Sequence, residues 1–75
     1  MELNLENSKI NNDDIIEITS VLTKLSKLSY LELDLKDNYI DNVGFEMLMN
    51  NLNKECEIKL NLDLNNIVDV DLYVN

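Results

Sequence analysis

The sequence predicts an α/β fold, a short open solenoid with parallel strands on its concave side and helices on its convex side. Two observations carry this expectation. The strings LNLENSKI (Leu3 to Ile10), LDLKDNYI (Leu33 to Ile40) and LNLDLNNI (Leu60 to Ile67) share one spacing: Leu, Leu two residues on, Ile five beyond that. Their starts at 3, 33 and 60 give periods of 30 and 27 residues, a range in which self-similarity marks stacked repeats. In the first two strings the apolar period then changes from that of a strand to that of a helix. The 75 residues form one domain, divided as repeat 1 at about 1–28, repeat 2 at about 29–55 and a partial repeat 3 at about 56–75.

Each element follows from its own pattern. Met1, Leu3 and Leu5 alternate with polar residues, as do Leu31, Leu33 and Leu35, and then Ile58, Leu60, Leu62 and Leu64. Period two places the aliphatic set on one face of a half-buried strand. After the first strand Asn11 or Asn12 can cap a helix, Asp13 and Asp14 suit its positive end, and Ile15, Ile18, Leu22 and Leu25 follow a 3-4-3 spacing. Lys24 and Lys27 fall near its negative end. After the second strand Asp41 or Asn42 can cap, Phe45, Leu48 and Leu52 make the apolar stripe, and Lys54 closes the helix. Strands joined by helices must run parallel, with a right-handed crossover. The tail from Val68 to Val74 fits two readings, the start of a third convex segment in repeat register or an extended strand turned back at Asn65-Asn66.

Composition excludes several function classes. Six Lys face fifteen carboxylates, a net charge of -9, whereas phosphate neutralisation needs clustered cations, so neither nucleic acid nor an anionic membrane surface is an expected partner. No apolar run approaches the roughly 20 residues that span a bilayer, and the start lacks the basic-then-apolar order of a signal peptide. The lone Cys56 cannot form an internal disulfide, and a cytoplasmic location is the default expectation. Nearly half the residues are apolar, which suits a folded domain.

The spacing resembles the leucine-rich repeats, in particular the ribonuclease-inhibitor-like subclass with long helix-bearing units. The second repeat carries the pattern best, in Leu33, Leu35, Asn38, Ile40, Gly44, Leu48 and Leu52. The first offers Leu3, Leu5, Ile10, Ile18 and Leu22 but has Ser8 in the Asn place and Asp14 in the Gly place. The third offers Leu60, Leu62, Asn65 and Ile67, with Asp71 in the Gly place. The resemblance implies that Asn38 and Asn65 turn inward to bond the neighbouring turn. It also implies a protein partner on the concave sheet, where Glu2, Asn4, Glu6, Glu32, Asp34, Lys36, Lys59, Asn61 and Asp63 would point outward. Solvated positions would look the same, and no aromatic anchor stands among these nine.

Catalysis is not expected. Without His there is no Ser-His or Cys-His dyad, a single Gly rules out a phosphate loop, and Asp37 to Gly44 fails the EF-hand spacing. Asp13/Asp14 fits helix capping and Asp69/Asp71 alternates with apolar residues, so neither pair suggests general acid-base work. Cys56 reads as a small apolar filler at the end of the second helix. No cofactor or metal is expected. The functional expectation is a non-catalytic protein-interaction module. The alternative is a structural piece of a longer repeat protein that stacks, or self-associates, through open repeat ends, because solenoids generally need about three repeats and polar caps. A relic with no partner would also fit.

Overall fold

A computed structural model describes residues 1–25, 27–52 and 55–68. Strand β1 (Glu2–Asn4), helix α1 (Asn12–Thr23), strand β2 (Tyr30–Asp34), helix α2 (Asn42–Asn51) and strand β3 (Glu57–Asn61) follow one another along the chain. The three strands form one open sheet in the order β1-β2-β3, and both pairings are parallel. The register places Leu3 beside Leu33 and Leu33 beside Leu60. The aliphatic columns expected from the repeat spacing are therefore real rows of neighbouring side chains. Both helices connect successive strands and pack on each other.

The core lies between the sheet and these helices. Leu31, Leu33 and Leu35 meet Ile15 and Leu22 of α1, Leu48 of α2 and Leu52 at its C-cap, with Ile10 and Ile40 closing the ends of the first two strings. Burial of such side chains contributes about 1.5–3 kcal/mol each, the main favourable term in so small a domain. Leu3, Leu5, Ile58, Leu60, Leu62 and Ile67 pack on this centre but stay half-buried. Leu3, Leu5, Ile18 and Val21 line a shallow apolar depression of about 240 Å³ beside β1.

Caps set where the helices begin. Asn11 precedes α1, its side chain accepting from the Asp14 amide at 3.1 Å while the Asp14 carboxylate accepts from the Asn11 amide at 3.0 Å. That reciprocal pair satisfies two orphan donors. Asp41 caps α2, its Oδ1 accepting from Val43 at 2.9 Å and Gly44 at 3.3 Å. The Asn12 side chain also donates to this oxygen at 2.7 Å. This bond, followed by those from the backbone, holds the Asp41 carboxyl below its ordinary 3.8 against a weaker opposing desolvation. A lowered value means stability that is complete above pH 3.8 and fades as pH falls through the folded value. Gly44 is needed for space: an added Cβ would lie 2.0 Å from the Asn12 oxygen and 2.9 Å from Ile40.

The strand exits are organised by two inward asparagines. Asn38, 4% exposed, accepts at Oδ1 from the amides of Ser8 at 3.0 Å and Ile10 at 2.9 Å. Its Nδ2 donates to the carbonyls of Leu5 and Leu35, both at 2.9 Å. Asn65 repeats the arrangement one string later, accepting from Ile40 at 2.9 Å and donating to Leu35 at 2.8 Å and Leu62 at 3.0 Å. Ser8, at the same place in the first string, turns its hydroxyl to the Glu6 carbonyl instead. A further pair recurs nearby: Asn12 accepts from the Asp41 amide at 3.3 Å, and Asn42 accepts from the Val68 amide at 2.7 Å.

Several local expectations shift. Leu64 does not extend the third strand: it sits in a turn at φ 59 and is 69% exposed. Equivalent positions Asn7 and Asp37 have φ 51 and 59, so all three strings leave the strand through the same left-handed residue. Leu25 lies beyond α1 and is 39% exposed, since the helix ends at Thr23 with Lys24 as its C-cap. Phe45 is half-buried, and the buried residues of α2 are Gly44 and Leu48, with Met47 packed against the core. Cys56 packs against the core just before β3, not at the end of α2. The readings placed on Lys54, on Asp69/Asp71 and on the rest of the tail fall outside the described residues.

Two stability tests follow. Asn38→Ala strands buried amides and carbonyls at about 1–3 kcal/mol per group left unbonded, and should lower unfolding free energy by about 3 kcal/mol in urea titrations. An unchanged midpoint would show that water replaces the amide without loss. Leu64→Asn should instead raise stability by about 1 kcal/mol, because left-handed backbone costs a branched side chain more than asparagine; a lower urea midpoint would contradict that account.

Candidate functional site

The outward face of the sheet is the candidate site, and alternation is what builds it. With the leucines of β1, β2 and β3 turned to the helices, the residues between them point the other way. The register lines these up in two rows across the strands, Glu2 beside Glu32 beside Lys59, and Asn4 beside Asp34 beside Asn61. Together with the backbone of Leu3, Leu33 and Leu60 they border an open depression of about 470 Å³. Glu6, Lys36 and Asp63 lie past the strand ends. Their turns are tied by the Asn7 amide donating to the Lys36 carbonyl and the Asp37 amide to the Asp63 carbonyl, each at 2.9 Å. They extend the rows but do not border the depression.

The row of Asn4, Asp34 and Asn61 has a structural duty that the sequence reading did not assign. Asn4, Asp34 and Asn61 each accept, at a side-chain oxygen, the amide of the residue two places on: Glu6, Lys36 and Asp63, all at 3.0 Å. Such short loops bend the chain out of the strand. The signal was present in the sequence as an Asn or Asp at the same place in all three strings. These three side chains therefore offer a partner only what their turn bonds leave over.

Tyr30 belongs to the face although it was not among the nine expected residues. It opens β2, stands two places before Glu32 on the same side of the sheet, and is paired in register with Glu57. The residue as a whole is 37% exposed. Its hydroxyl donates to the Glu32 carboxylate. That bond is the main reason the phenol is pushed up to about 12 from 10.0; desolvation adds to it, as do the charges of Glu32, Glu57 and Glu2. Carrying the alternation one step back from Leu31 would have found this residue.

The face is thus acidic and aromatic at the strand N-termini and of mixed sign at the turns. Among the described residues no group of three or more His, Cys, Asp or Glu is placed to hold a metal ion. No described helix is long and apolar enough to cross a membrane. No family model matches this chain, and comparisons with curated proteins and with solved structures find no match either.

The Tyr30 bond gives a pH test. A raised phenol value means a stabilising contribution that is complete below pH 10.0 and lost as pH rises through about 12. The difference in phenolate absorbance between the wild-type chain and Tyr30→Phe should show a midpoint near 12, moving down toward the ordinary tyrosine value of about 10 in Glu32→Ala. An unmoved midpoint in Glu32→Ala would remove Glu32 as the cause.

Proposed function

We propose that the chain is a non-catalytic protein-interaction module whose outward sheet face receives a protein partner, and that it is built as a short open solenoid similar to the leucine-rich repeats. The observation that carries this reading is the exposed polar surface on three parallel strands, held in register by the Asn38 and Asn65 bonds at its exit. Hydrogen bonds recur at equivalent positions of the strings some 25 to 33 residues apart, as they would in a stack of like coils. A recognition surface of this kind is rigid before the partner arrives, which lowers the ordering cost of binding. The cytoplasm is the compartment that fits this reading.

A second reading, association of chains through open repeat ends, has support in the apolar flank formed by Leu3, Leu5, Ile18 and Val21. Ser8 weighs against it at that flank: its hydroxyl is turned to the Glu6 carbonyl, so no side-chain amide is offered to a preceding turn as Asn38 offers one to Ser8 and Ile10.

A photo-crosslinking residue in place of Lys59 on the face should give a discrete adduct with a partner, and the same residue in place of Glu46 on the exposed side of α2 should not. Light scattering should show a mass independent of concentration. Adducts from Glu46 alone would overturn the face as the binding surface, and a mass that grows with concentration would favour end-to-end stacking.

A further inference from the structure

We infer that the Tyr30 end of the sheet face docks a lysine or arginine side chain carried on an extended segment of a protein partner. This inference rests on the proposed use of the face and adds the chemistry of what it receives.

Charge is distributed unevenly along the face. At the turn end Glu6, Lys36 and Asp63 alternate in sign. At the other end the register sets Glu2 directly beside Glu32 and Glu57 directly beside Tyr30, with adjacent strands about 4.8 Å apart. Like charges in such cross-strand positions are destabilising. Lys59 flanks Glu32 on one side only, and the Met1 ammonium at this end is engaged by the Tyr30 carbonyl, to which it donates at 3.0 Å. A cation placed here relieves the repulsion, whereas an anionic segment adds to it.

Tyr30 gives the cation a surface as well as a charge. Its hydroxyl is held by Glu32, so the ring stays beside the carboxylates with part of its area open to solvent. A cation over a ring face gains about 0.5–1 kcal/mol at an exposed site, and tyrosine is among the residues that dominate interface energetics. The open depression of about 470 Å³ is bordered by Glu2 and Glu32 but not by Tyr30 or Glu57, so a segment laid across the strands would meet Tyr30 at its edge.

The probe is a short blocked peptide of alternating lysine and threonine, titrated into the isotope-labelled chain. Amide shifts should centre on Tyr30, Glu32 and Glu57. Tyr30→Leu should weaken binding about fivefold, the equivalent of about 1 kcal/mol. Tyr30→Phe, which keeps the ring, should bind within about twofold of the wild type and show that folding is intact. Asp13→Asn on α1 removes a charge from the opposite side and should change binding by less than about twofold. Shifts centred on Asp13, Asp14 and Glu17 would overturn the inference. So would no binding, equal binding of Tyr30→Leu, or equal binding of spermine or of a glutamate-threonine peptide. The Lys59 crosslink reads occupancy of the face whatever the partner's charge, so adducts there alongside a failed peptide titration would remove the cationic partner and leave the face.

Discussion

A backbone that leaves a strand and turns toward a helix must find partners for its buried amides and carbonyls, and in this chain the side chains of Asn38 and Asn65 supply them. Each amide group bonds both its own string and the one before it. Leaving those polar groups unbonded would cost more than the net gain of most single contacts in a domain of this size. The asparagines also fix how far each turn sits from the next. Strand register, and with it every row on the outward face, depends on that spacing.

The helical side is tied by a parallel device. Asn12 accepts from the Asp41 amide and donates to the Asp41 carboxylate, so the cap of α2 is set by the start of α1. Gly44 leaves the room in which the Asn12 side chain passes. Asn42 likewise accepts from the Val68 amide, but donates to the Val68 backbone carbonyl. Asparagine is suited to both jobs because one short side chain carries a donor and an acceptor in fixed relation.

These demands divide the outward face. Asn4, Asp34 and Asn61 look like surface residues by alternation, yet their side-chain oxygens serve the turns. Glu2, Glu32, Glu57 and Tyr30 lie at the other end of the strands, and only Tyr30 and Glu32 join each other there. The proposed docking chemistry therefore falls where the backbone makes least use of side chains.

The sequence by itself determined the elements, their order, the parallel sheet and most of the core, because period-two and helical spacings are local and are set by aliphatic burial. It also placed Asn38 and Asn65 facing inward and located all nine expected face positions, six in the strands and three just past them, but left out Tyr30 and its register partner Glu57. Only the tertiary structure decided that Leu64 leaves the strand with a left-handed backbone, that Asn12 reaches Asp41, and that Tyr30 meets Glu32 at the edge of an acidic row. Local pattern says which way a side chain points. Which partner it meets, often some 30 residues away, is fixed by register, and register is settled only when the strands lie side by side.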